Sequence, residues 1–249
     1  MQLFAHSVWV GRAPGPYACR MTPEALEIPL AINVAAVFVG ALGGAIRAGE
    51  DEHVDIIGVL TLATVMGFGG SLIRDVLLGN LPPAVLQSGW YVGSVAVAAA
   101  IGAFFLYYLR KLGKVLWVLD SLSIGLFASV GVNAALLAGL TLLPAVLIGT
   151  LASVGGLILT DVFQGRPSSI LHVGPPNAAA GLAGALAYGL LYTGDHVVVT
   201  TIVAVAVTFA VRLAGPLLHV QVPQPRRRAY ELEQKLRAKA AKRRGTSAS

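Results

Sequence analysis

The sequence predicts an all-α integral membrane protein: seven transmembrane helices, arranged as two inverted three-helix repeats followed by a seventh helix. Composition is the first ground. Of the 249 residues 56% are hydrophobic and only 12% charged, with a mean hydropathy of +0.75, whereas about a quarter of a soluble domain carries charge. The second ground is a series of apolar stretches of about 20 residues, the length that crosses a hydrocarbon core as a helix. The third is an internal repeat. "GFGGSLIRDVLLGN" at 67–80 returns as "GGLILTDVFQGRP" at 155–167, pairing Gly69 with Gly155, Gly70 with Gly156, Asp75 with Asp161 and Gly79 with Gly165 at one offset.

Residues 1–27 hold the lone Cys19 and several prolines and glycines, without the basic start and apolar run of a secretory signal. They read as an extracytoplasmic tail or an over-long start, with Met21 the alternative. The first repeat, 28–110, contains spans near 28–47, 54–78 and 87–109. The second, 111–194, contains spans near 115–139, 142–164 and 176–193. A seventh span near 197–219 lies in the segment 195–220, and a basic tail fills 221–249. Proline and glycine mark the joins in "NLPPA", "QGRP" and "VGPPN", where helices stop and the chain turns.

Lysine and arginine near span ends set orientation. Arg47, Arg110, Lys111, Lys114, Arg166 and the tail from Arg226 to Arg244 gather on one side. The C-terminus is therefore expected in the cytoplasm of a multi-pass inner-membrane protein. Each repeat has three spans, so the second copy must enter the bilayer in the opposite sense, an architecture that places a site between the halves. The tail "RRRAYELEQKLRAKAAKRRG" follows the last span directly and reads as lying along anionic lipid rather than as a nucleic-acid partner. "FFLYY" at 104–108 reads as an interfacial aromatic belt.

Two features point to a pathway. The glycine pairs Gly69–Gly70 and Gly155–Gly156 fall deep in the second and fifth spans, and Gly pairs are a recognised cause of kinks. A break there frees carbonyls that lipid cannot satisfy, a polar patch suited to a cation. Ser71, Ser153, Thr160 and Asn133 can add oxygen ligands. The charged residues form the second feature. Asn33, Arg74 and Asp75 are expected as an outer cluster, and Asp120, Asp161 and Arg166 as an inner one, since ionisable residues within spans usually face a cavity. Arg74 and Asp75 are neighbours pointing about 100° apart, so each should need its own environment. Thr160 stands where Arg74 stands in the first repeat, which leaves the inner end with unpaired carboxylate that favours cations.

Enzyme chemistry has no foothold. There is no phosphate loop, no G-x-S-x-G and no H-E-x-x-H, and the histidines lack metal-ligand spacing. No cofactor or resident metal is expected.

With these motifs in view, "GGSLIRDVLLGNLP" and "DSLSIGLFASVGVNAALLAG…GTLASVGGLILTDVFQG" resemble the prokaryotic trimeric intracellular cation channel family, which overlaps the bacterial membrane proteins with a glycine transporter domain. The likeness covers roughly residues 28–220. It implies a homotrimer that conducts potassium and other monovalent cations, with a pore in each protomer lined by glycine-kinked second and fifth helices. The kinks would be Gly69–Gly70 and Gly155–Gly156. Thr160 departs from the Arg-Asp that many relatives carry in both repeats. A secondary transporter of a small amino acid such as glycine uses the same architecture and is the alternative.

Overall fold

The computed structural model describes residues 28–51, 53–111, 114–170, 177–194 and 196–217. The tails at 1–27 and 221–249, to which the extracytoplasmic and lipid-binding expectations belong, lie outside them. Seven helices longer than three turns form the described part: α1 Leu30–Ala48, α2 Ile56–Leu78, α3 Gly89–Lys111, α4 Val115–Leu137, α5 Leu142–Phe163, α6 Asn177–Leu191 and α7 Val197–Leu217. A single helical turn, Ala84–Gln87, precedes α3. Five of the seven are long and apolar enough to cross a membrane, while the apolar parts of α3 and α6 are shorter, at Gly89–Phe105 and Asn177–Leu191. The chain is a multi-pass membrane protein. Its outward side chains agree: Phe104 is 82% exposed and Trp90 72%, tolerable only where lipid covers them.

Helix ends follow from local chemistry. Asp55 accepts a hydrogen bond from the Gly58 amide at 2.8 Å and caps the start of α2. Gly79 and Gly165, equivalent in the repeat, close α2 and α5 with φ of 71° and 63°, the left-handed region where a side chain is unfavourable. In both places the next amide returns to the aspartate carbonyl: Asn80 N to Asp75 O at 2.8 Å and Arg166 N to Asp161 O at 2.9 Å.

Helices α1, α2 and α3 pack on one another, as do α4, α5 and α6; the triplets meet through α1 on α4 and α2 on α5, and α7 lies on α4 and α6. The equivalent helices run antiparallel where they cross. Gly43 and Arg47 of α1 both approach Asp120 of α4, and Met66 and Gly70 of α2 face Gly156 and Ala152 of α5. Two apolar clusters flank this contact, one built on Val37, Ala41, Val95 and Ala98, the other on Val132, Val146, Ala185 and Tyr188.

The expected helix breaks are absent. Both α2 and α5 are continuous α-helix through their glycine pairs. The glycines instead bring the helices together. A methyl on Gly69 would stand 2.8 Å from Gly156 Cα, one on Gly70 would strike the Ala152 carbonyl, and one on Gly156 the Met66 carbonyl. At Gly69, Gly70 and Gly156 the two backbones touch, as small residues allow throughout membrane bundles.

Candidate functional site

Asp120, Ser123, Ile124 and Phe127, and further along α4 Val130, Asn133, Ala134 and Leu137, fall within the same half of the helix circumference, its inward face. That face lines two cavities. One, of about 600 Å³, is walled by the start of α1 (Asn33), the end of α2 (Arg74, Asp75), the following loop and the single turn Ala84–Gln87 (Gln87), the start of α3 (Tyr91) and the end of α4 (Val130, Asn133, Leu137). The other, of about 10 Å³, is room for one water and is lined by Met66, Asp120, Ser123, Ile124, Phe127, Ser153, Gly156 and Leu157. Phe127 and Val130 are one turn apart, about 5 Å, and only that turn separates the cavities along α4.

At the Asp75 end the Arg74 guanidinium donates from Nε to Asp75 Oδ1 at 2.7 Å, with Nη2 also 2.7 Å from the same oxygen. Asp75 Oδ2 accepts the Ala84 amide at 2.8 Å and ties the loop back to the helix. Asn33 donates to the Ile28 carbonyl at 3.1 Å. Asn133 donates to the Tyr188 hydroxyl at 3.0 Å, which fixes α4 against α6.

At the Asp120 end the carboxylate is bonded by Arg47 of α1 at 2.6 Å, with Arg212 of α7 at 3.9 Å from the same Oδ2. Arg212 is 1% exposed. It donates to Ser121 Oγ at 3.0 Å and to the Trp117 carbonyl at 3.3 Å, and its guanidinium stands 5.6 Å from the centre of the Trp117 ring. Asp161 Oδ2 accepts both the Ser169 amide, at 2.7 Å, and the Ser169 hydroxyl, at 2.8 Å. Asp161 thus repeats in the second triplet the loop-tying role of Asp75. Further out Gln164 donates to the Arg47 carbonyl at 3.2 Å, and Arg166 pairs with Glu50 at 2.6 Å.

A family model described as glycine transporter matches residues 30–110 and 117–193. The chain belongs to the glycine transporter family. Among its relatives, the UPF0126 inner membrane protein YadS of Escherichia coli K12 is 29% identical over 195 residues, which cover 77% of this chain and 93% of YadS. A UPF0126 membrane protein of Deinococcus radiodurans is 32% identical over 141 residues, which cover 57% of this chain and 65% of that protein. The TRIC trimeric intracellular cation channel orthologue from Rhodobacter sphaeroides superposes with a TM-score of 0.70 at 28% identity, over 77% of this chain and 98% of that one. The resemblance carried by the Gly-Gly-x-x-x-Arg-Asp element therefore holds.

In this glycine transporter family chain the residues expected at the site divide. Asn33, Arg74 and Asp75 do meet around one cavity. Arg74 and Asp75, however, do not take separate partners. The long arginine stem reaches around the last turn of α2, and in a low-dielectric setting the adjacent carboxylate is the partner it finds. Gly156 lines the small cavity, whereas Gly69, Gly70 and Gly155 face Gly156, Ala152 and Ile73 across the α2–α5 contact. Ser71 is buried on α2. Thr160 turns its hydroxyl to the Gly156 carbonyl of its own helix at 2.8 Å, the usual habit of threonine in an apolar helix. The unpaired carboxylate expected at the inner end is corrected for Asp120, which Arg47 and Arg212 neutralise; Asp161 is bound by the neutral Ser169 and has no ion-pair partner among the described residues, while Arg166 pairs with Glu50. Sequence reasoning assigned Arg47 only to the topological charge count and passed over Arg212. The signal was present, an arginine inside the seventh apolar span.

Proposed function

We propose that the chain is a cation channel with a separate pathway in each protomer, running along the inward face of α4 between inverted repeats. One observation carries this reading: a single helix face lines a wide cavity and a one-water cavity that only the Phe127–Val130 turn separates. Kinship with proteins described as trimeric intracellular cation channels supports it. Helices α2 and α5 supply the other walls, through Arg74, Asp75 and Met66 on one and Ser153, Gly156 and Leu157 on the other. The Ser123 and Ser153 hydroxyls at the small cavity replace part of an ion's hydration. Potassium is the proposed ion, a homotrimer the assembly, and the inner membrane with a cytoplasmic C-terminus the setting. The basic tail is proposed to lie on anionic lipid. In planar bilayers under a potassium chloride gradient the purified protein should give unitary currents reversing toward the potassium equilibrium potential; silent bilayers containing correctly folded protein would overturn the channel.

The family's description favours a second reading, transport of glycine, for which the wide cavity offers both Arg74 and Asp75 to a zwitterion. Liposomes that accumulate labelled glycine under a cation gradient, with no unitary current, would select it.

A further inference from the structure

We infer that Asp120 is the catch of a latch: Arg47 on α1 engages it in this closed arrangement, and Arg212 on α7 is placed to receive it when α1 lets go. The inference rests on the pathway reading above, because the catch forms part of the wall of the small cavity. Three helices meet at this carboxylate, one from each triplet and one from the span outside both. Two guanidiniums crowd Oδ2, at 2.6 and 3.9 Å, while Oδ1 and both arginine Nε atoms are buried without a hydrogen-bond partner among the described residues. Arginine–carboxylate pairs frequently use both oxygens in a fork, and Arg74 at the other end at least engages its carboxylate with two nitrogens. Here the fork is incomplete for either arginine, as it would be if one carboxylate serves two partners in turn.

Geometry says which arginine moves. Arg212 is held by α4 itself, through Ser121, the Trp117 carbonyl and the Trp117 ring. It stays with Asp120 whatever α1 does. Arg47 has no other side-chain bond at this end, and its side chain is 14% exposed, against 2% for Arg212. The wall it holds in place is thin. At Gly43 a side chain would stand 3.6 Å from Asp120 Oδ1 and 3.2 Å from Met66 Cε, so α1 backs directly on two residues that line the cavity. When Arg47 leaves, Arg212 satisfies the carboxylate and α1 is free to move away from Asp120 and Ser123, which it packs behind. The span outside the repeats thus stabilises the released state, and α1 the closed one.

The two arginines should therefore act in opposite directions, which a shared role in stability would not produce. The test reads access, not current. In the full chain with Cys19→Ser, Ser123→Cys places a thiol at the small cavity, and a neutral reagent, 2-hydroxyethyl methanethiosulfonate, reports how often it opens. Arg47→Gln should speed modification about tenfold or more, equivalent to about 1.4 kcal/mol, and Arg212→Gln should slow it by a similar factor. Rates that move the same way in both variants, or stay within about twofold in Arg47→Gln, would overturn the latch. Failure of Arg47→Gln to assemble would overturn it too, since a latch that opens must be dispensable to the fold; that variant alone decides if Arg212→Gln does not assemble. Access that changes as expected in a protein that passes no current leaves the latch standing and removes the channel.

Discussion

Single residues at the two ends of the bundle carry unequal burdens. Asp75 is the sole ion-pair partner among the described residues of Arg74, which is 8% exposed. Asp75→Asn should therefore cost about 3–5 kcal/mol, the penalty for leaving one member of a buried pair alone. Asp161 occupies the same place in the second triplet, but among the described residues its side chain binds only the neutral Ser169 amide and hydroxyl. Asp161→Asn keeps an acceptor there and should cost about 1 kcal/mol. Thermal unfolding of the two variants side by side checks the ordering, and equal losses would contradict it. Gly156→Ala should lose about 1–3 kcal/mol through overpacking on the Met66 carbonyl, visible as a lower unfolding midpoint. At this scale the sequence was only partly legible. The repeat located Asp75 and Asp161, and Thr160 in place of a second arginine anticipated their different partners. Nothing in a linear pattern shows that an arginine folds back on its own neighbour, because helical spacing places adjacent residues apart and only tertiary confinement brings the charges together.

Among the helices, α4 bears most of the pathway. Phe127 lies where the two cavities come closest, with its ring against the Gly40 and Gly70 positions. Phe127→Leu should raise unitary current by shortening the barrier, and Phe127→Trp should lower it; recordings in which both substitutions act alike would remove Phe127 from the pathway. Element boundaries were legible to within two residues, as in 115–139 for Val115–Leu137 and 197–219 for Val197–Leu217, because apolar length and proline-glycine punctuation fix where a helix can end. The role of α4 was not. Its lining face mixes Asp120, Ser123 and Asn133 with Phe127 and Val130, so it carries neither a polar stripe nor a glycine signature. The glycine pairs drew attention to α2 and α5 instead, and there sequence alone could not separate a break from a close contact. The structure shows continuous helices in close contact at these pairs.

For the whole molecule, orientation remains an expectation of charge distribution, with basic residues concentrated toward the C-terminus. A reporter fused after Ser249 should be active only when it is of a type that works in the cytoplasm, and activity of an export-dependent reporter instead would reverse the assignment. The meeting of the two triplets has a mechanical consequence. Where α2 crosses α5, Gly69, Gly70 and Gly156 leave backbone against backbone, and only Ile73, seated at Gly155, and Leu159, at Gly69, reach from one helix into the other there. Such a crossing acts as a bearing. One half can rock on the other about this point with little beyond Ile73 and Leu159 to displace, so most of the steric cost of tilting falls at the two rims, where the charged groups sit. Spin labels placed on α2 and α5 beside the crossing should keep one narrow distance distribution, while pairs at either rim should broaden or split as the protein cycles.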